Sequence, residues 1–327
     1  VLSSSENTFG RNGISNQNGL MYEVPLIRTA EYGPALWVAT PTCNYSSRNG
    51  TAISAVTIHT IQGSYAGAIS WAQNCSAGVS YHYVVRSSDG QVTQMLLEAD
   101  KGWHVGSENP YCIGIEHEGY VTDPSWYTTA LYTASSDLCR DITQSGYGIN
   151  PLRTFFGEAT VGLNTIGGCT KIKGHQHYPN QSHTDPGVNW DWERFYKLIN
   201  NTPSYATYTG GSGNLYDSGG ATGNYTDDER ELYLIQPTNA ATITVTFNLF
   251  NIEQDWDFLF IYDGNTPNAP LIGKYTGTVS PGTITSTGGD LLLEFRSDCA
   301  TSAAGWELAY TSISENSPPV SSFSLTN

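Results

Sequence analysis

Between Gly174 and Gly187 the chain reads GHQHYPNQSHTDPG, which puts His175, His177, His183 and Asp185 in one short loop with no apolar period that would bury them. Imidazole and carboxylate are ligands that a borderline cation such as Zn²⁺ accepts, and a catalytic zinc takes three protein ligands while a fourth position stays open. The loop needs a donor from elsewhere. His59 supplies one, because it ends the apolar, β-branched run of AVTIHTI, which reads as a buried strand holding its side chain rigidly. On pattern alone a second interpretation stands beside this: solvated loop histidines, and a core His59 satisfied by the backbone.

The elements that must position these groups follow from periodicity. In 52–61, alternation places Thr57 and His59 on one face of a strand, with Val56 and Ile58 on the other. SYAGAISWAQN (64–74) has helical spacing, and 80–95 reads as a strand, a Ser-Asp-Gly turn and a second strand that carries His82 near its start. In 112–119, Gly114, Glu116 and Glu118 share a face opposite Ile113, Ile115 and His117. Two acids on one face of an apolar strand suit proton transfer, since a carboxylate beside an attacking water can take its proton and later deliver it to a leaving amine. Thr122 and Asp123 as a cap, Pro124 in the first turn and the spacing of Leu131, Leu138 and Ile142 predict a long amphipathic helix ended by glycine. A last helix is expected in 189–200. Mixed strands and helices give the first domain an α/β fold, a mixed sheet with packed helices.

His59 after its strand, SYHYVV at 80–85, Trp103-His104, CIGIEHEGY at 112–120 and GH…HTDPG…WDW at 174–192 occur in this order. Together they resemble the zinc-dependent N-acetylmuramoyl-L-alanine amidases, the type-2 amidases related to the peptidoglycan recognition proteins, over 35–200. The resemblance implies Zn²⁺ held by His59, His175 and Asp185, and Glu116 as general base and then acid. The bond it implies is the amide between the lactyl group of N-acetylmuramic acid and L-alanine of peptidoglycan. It also places Trp103 and His104 at the substrate groove and has His82 in its pattern, as a substrate-binding residue or as a structural or pocket-wall histidine. The family often has lysine two residues before the metal aspartate where this chain has His183, whose imidazolium can stabilise an oxyanion in lysine's place. His177 is expected to be an exposed loop residue. Some relatives bind peptidoglycan without cutting it, so a recogniser or a surface adhesin is the alternative, but those lacking activity lack a zinc ligand and this chain has all three.

The 327 residues are long enough for two domains, and no stretch approaches the roughly 18 apolar residues of a membrane span. A formal charge of −16 argues against nucleic acid or an anionic membrane surface as partner. The chain begins VLSSSENTFG, without a basic stretch followed by an apolar one, and is expected to be a mature chain already trimmed. Residues 1–34, rich in Ser, Asn and Gly with little periodicity, read as an extension lying over the domain or partly disordered. Six cysteines in no CxxC spacing favour disulfides in a secreted or cell-surface bacterial protein. Five precede residue 200, so either one reaches across to Cys299 or each part keeps one unpaired.

A small, polar, Gly-rich stretch (201–211) reads as a flexible linker. Beyond it come short alternating strands with turn signals, the pattern of an all-β sandwich. FNIEQDWDFLFIYDG, LLLEFRSD and GWELAYTSI resemble a CUB domain over 212–314, without its usual paired cysteines. The resemblance implies a Ca²⁺ site at Glu253, Asp257 and Asp298, whose oxygens suit that ion, against the alternative of a solvated acidic end. It also implies a role in attachment, with a carbohydrate or protein ligand at the cell surface. Residues 315–327 read as a Pro/Ser linker and the start of a PKD-type repeat, so a longer polypeptide is expected.

Overall fold

A computed structural model describes residues 29–314 and the backbone of Ile14–Gln17 and Leu20–Glu23. The expected linker and repeat at 315–327 lie outside the described residues. Within the N-terminal extension those two strands pair antiparallel. The end of the extension belongs to the first domain: Tyr32 joins its core, and the Glu31 carboxylate accepts hydrogen bonds from Gln94 Nε2 and the Glu98 amide.

The first domain is built on a six-stranded sheet in the order Ile172–Gly174, Ala55–Thr60, Cys112–His117, Tyr83–Val85, Val92–Gln94 and Leu36–Trp37. The first four run parallel, Val92–Gln94 is antiparallel to Tyr83–Val85, and Leu36–Trp37 is parallel to Val92–Gln94. Parallel strands are covered on both faces, which explains why all six residues of Ala55–Thr60 are buried. Val56, Ile58, Ile113 and Ile115 face a core shared with helices α2 (Thr129–Gln144) and α3 (Trp192–Ile199). Val84 on the other face packs under helix α1 (Tyr65–Ala72). Thr57 and His59 point to the α1 side, as alternation requires.

The long helix starts later than its sequence suggests. Asp123 caps only a 3₁₀ turn at Pro124–Trp126, and the Thr128 hydroxyl, accepting from the Leu131 amide, is the true cap of α2. Cys43 pairs with Cys75, while Cys112 and Cys139 are free and buried in the core. The even cysteine count therefore resolves into two disulfides, and the second, Cys169–Cys299, joins the two domains.

The second domain is a sandwich of a five-stranded and a four-stranded sheet. Ile235, Val245, Leu259, Leu293, Phe295 and Trp306 fill the space between the sheets. The expected linker is not free. Tyr205–Tyr208 runs parallel to Arg230–Ile235 and closes that edge of the five-stranded sheet, because its tyrosines and threonine suit a strand and the edge offers unpaired backbone groups.

The outer face of that sheet docks on the first domain. Phe260 and Tyr262 pack with Phe156, and the Arg296 guanidinium, fully buried over Phe156, Tyr196 and Phe260, forms a two-pronged pair with Glu193 of α3 at 2.7 Å on each arm. Arg153 grips Asp228 the same way, at 2.8 and 2.6 Å. Two bidentate ion pairs, an aromatic layer and a disulfide fix the domains to each other.

Candidate metal and catalytic site

At the carboxyl ends of the parallel strands, Ala55–Thr60 delivers His59 and the neighbouring Cys112–His117 delivers Glu116, directly opposite each other in register. Ile172–Gly174 leads into a 3₁₀ turn, His175–His177, that places His175 beside them. The loop then returns so that the Gln176 amide donates to the Asp185 carbonyl at 3.0 Å, which folds Asp185 onto the same spot. His59 Nδ1 lies 3.0 Å from Asp185 Oδ2, and His175 Nδ1 lies 3.3 Å from Asp185 Oδ1. All three residues are buried, and a donor atom from each lies within 4.8 Å of the others. Burial alone would raise the Asp185 pKa, but the two imidazoles outweigh it and hold the carboxylate ionised well below the usual range. Burial lowers the His59 pKa and favours the neutral ring that a cation needs. Two imidazoles and a carboxylate converging out of water are the donor set of a zinc site with an open position.

These residues line one end of a cleft of about 980 Å³. Glu116 is at its floor, where Oε2 is shielded from solvent and has no hydrogen-bond partner. Burial first, and then the Asp185 charge, push its pKa well above the ordinary carboxylate value. His183 is exposed and stacks on His175, with ring centroids 4.9 Å apart. Trp103 and His104 line the cleft. His104 also touches the donor cluster, since its Nδ1 is 3.0 Å from His59 Nε2, an approach that needs Gly114 beneath it: a Cβ there would come within 2.7 Å of the ring.

Two histidines depart from expectation. His82 is fully buried, does not line the cleft, and has Nδ1 accepting from the Gly114 amide while Nε2 faces Arg48 and the Asp100 carbonyl. It supports the strand that carries Glu116. His177 is buried rather than exposed, because the 3₁₀ turn folds it under against Phe155 and Trp192, where Nδ1 accepts from the Gly174 amide. Glu118 lies outside the cleft and accepts from the backbone amides of Tyr65, at the start of α1, and Ser87. His117 bridges the His59 carbonyl and Ser135. Trp71, half exposed on α1, and Gln181, which meets His175 Nε2 at 2.9 Å, also line the cleft. Their types carried no signal: tryptophan on a short helix and glutamine in a polar loop are ordinary surface residues.

In the second domain, Glu253, Asp257 and Asp298 come together with a carboxylate oxygen from each within 4.8 Å. Asp257 accepts from the Tyr225 hydroxyl and from the Asp298 amide, the latter at 2.8 Å. Burial, opposed by those bonds and reinforced by Asp298 and Glu253, pushes its pKa up to about 6.

Residues 49–188 match the N-acetylmuramoyl-L-alanine amidase domain, and residues 206–310 match the CUB domain. The chain is 39% identical over 171 residues to N-acetylmuramoyl-L-alanine amidase A of Achromobacter lyticus, covering 52% of this chain and 96% of that protein. It is 38% identical over 187 residues to cubilin of Sus scrofa, covering 56% of this chain and 5% of cubilin. A solved N-acetylmuramoyl-L-alanine amidase, LysC from Clostridium intestinale URNW, is 19% identical with a TM-score of 0.39, covering 51% of this chain and 97% of its own. A relative matched at 39% identity along nearly its whole length shows the family, and the chain is a member of the N-acetylmuramoyl-L-alanine amidases that carries a CUB domain after its catalytic domain.

Proposed function

We propose that the protein is a secreted zinc hydrolase that cleaves the amide joining the lactyl group of N-acetylmuramic acid to L-alanine in peptidoglycan. The observation that carries this reading is the convergence of His59, His175 and Asp185 within 4.8 Å, beside Glu116, whose Oε2 has no hydrogen-bond partner among the described residues. The donor types and their burial fit Zn²⁺, which when bound supplies Lewis acidity to a water and to the scissile carbonyl.

The chain's own groups perform the remaining steps. Glu116, at the cleft floor with a raised proton affinity, accepts the proton of the attacking water. As the carbon–nitrogen bond breaks, it delivers that proton to the departing alanine nitrogen, so that acid and free amine leave in balance. His183, exposed at the cleft beside His175, faces the developing oxyanion and takes the position of the family lysine. Trp103, half buried with its indole nitrogen donating to Ser46 at 3.2 Å, offers a fixed aromatic face for sugar or peptide. A recogniser needs no such acid beside its metal ligands, so Glu116 favours the hydrolase. Two disulfides support an oxidising, extracellular setting.

Glu253, Asp257 and Asp298 would hold Ca²⁺ in the second domain. Three mutually repelling carboxylates of hard oxygen chemistry favour that ion. Zinc content measured by mass spectrometry tests the central reading: the wild type should carry one equivalent and His175→Ala well under half. Equal content in both would remove His175 from the metal set.

A further inference from the structure

We infer that Gln181 is a positioning residue that biases His175 toward the Nε2–H tautomer and so prepares its Nδ1 for the metal. The inference rests on the zinc reading of the His59, His175 and Asp185 cluster. Both ligand rings are oriented alike, with Nδ1 turned to Asp185 and Nε2 turned outward: His59 Nε2 to His104 Nδ1 at 3.0 Å, and His175 Nε2 to Gln181 Oε1 at 2.9 Å.

The two outward contacts differ in what they determine. An imidazole facing an imidazole leaves open which ring donates. An amide can accept only through oxygen, and the Gln181 amide cannot be turned around without loss. Its nitrogen donates to the Pro179 carbonyl at 3.1 Å and toward the Val105 carbonyl at 3.4 Å. A flipped amide would set its oxygen against two carbonyl oxygens and its N–H groups against His175. Oxygen therefore faces the ring and accepts the hydrogen of His175 Nε2. In the metal-free protein the Asp185 carboxylate, 3.3 Å from Nδ1, competes for the ring hydrogen. A cation on Nδ1 settles that competition in favour of Gln181, so the amide favours the form of the ring that binds metal. Partners that hold the far nitrogen of a metal-ligating histidine typically contribute 10–100-fold to metal affinity.

Gln181 is also a strut. By reaching the Val105 carbonyl it ties the loop that carries His175 and Asp185 to the loop that carries Trp103 and His104, so one amide braces both walls of the cleft. It is only partly buried.

The test uses the full chain, stripped of metal and ¹⁵N-labelled at histidine. In the wild type, His175 should populate the Nε2–H form, read from its ring nitrogen shifts. Gln181→Leu removes the acceptor and should bind zinc about 10–100-fold more weakly in competition with a chromogenic chelator, with His175 shifted toward the Nδ1–H form. Gln181→Glu keeps an acceptor oxygen and should bind within a few-fold of wild type. Equal zinc affinity in wild type and Gln181→Leu would overturn the assignment. So would a weaker variant in which His175 keeps the wild-type balance of tautomers, since the loss would then come from the loop alone. A wild type that binds no zinc would overturn the metal reading itself, a failure separate from these.

Discussion

His59 and Glu116 are register partners on neighbouring parallel strands, so a metal donor and a proton-transfer group stand side by side on the stiffest part of the fold. Their separation is set by the sheet and not by a loop. Glu116 Oε2 makes no hydrogen bond, so its removal should cost the fold little. Glu116→Gln is expected to lower amidase turnover by about 10²–10⁴-fold while leaving zinc content and melting temperature near wild type. Steady-state kinetics with metal analysis on one sample checks this, and a variant that loses its zinc would show that Glu116 holds the metal instead.

Removing the metal should destabilise as well as inactivate. Asp185 is buried and anionic between two imidazoles, an arrangement that a cation stabilises. At free zinc about 100 times the dissociation constant, linkage adds about 2.7 kcal/mol. Chelation should lower the melting temperature and abolish activity, with both restored by zinc. Asp185→Ala should show neither response.

How far the sequence carried these conclusions differs by element. His59 was legible because a β-branched run with period two fixes which face it takes, and that face is set before any tertiary contact forms. Trp103, His104 and the three candidate metal donors, which the structure brings to one cleft, were singled out by residue type and by the order of motifs that carries the family resemblance. His177 was misjudged because its burial depends on a turn tucking it beneath Phe155 and Trp192, partners that only the fold brings near. The start of α2 was misplaced because Asp123 and Thr128 are both competent caps, and only the observed 3₁₀ turn separates them. Tyr205–Tyr208 read as linker because its strand partner lies across the sheet edge. Gln181 gave no signal, since its role consists wholly of geometry.

The domain interface is expected to be sensitive to acid. Glu294 is fully buried between Arg296 and Arg230, with Nε–Oε1 distances of 2.8 and 2.6 Å. Burial would raise its pKa, but the two guanidiniums outweigh that and bring it down to about 2. An unfolded glutamate titrates near 4.3, so the folded value is depressed. The stabilisation is complete above pH of about 5, declines as pH falls below about 4.5, and is gone once pH passes below about 2. Denaturant melts from pH 7 to pH 2 should show this decline.

Arg296→Met leaves Glu294 and Glu193 without their shared partner and should destabilise by about 3–5 kcal/mol. Equilibrium denaturation at pH 7 measures it. A loss under 1 kcal/mol would mean that the aromatic layer, the Arg153–Asp228 pair and the disulfide hold the domains without Arg296.

Calcium should stabilise the second domain, and the effect should weaken as pH falls below about 6, where a proton on Asp257 competes with the ion. Titration calorimetry at pH 7 and pH 5 should show weaker binding at pH 5, and Asp257→Asn should show little at either. Binding unaffected by that substitution would remove Asp257 from the site.

The most direct test of the central claim is mass spectrometry of purified peptidoglycan sacculi incubated with zinc-loaded wild type, with chelated wild type and with Glu116→Gln. The account predicts stem peptides with a free L-alanine amino group, released by the zinc-loaded wild type alone. Intact sacculi in the presence of protein carrying one equivalent of zinc would contradict it.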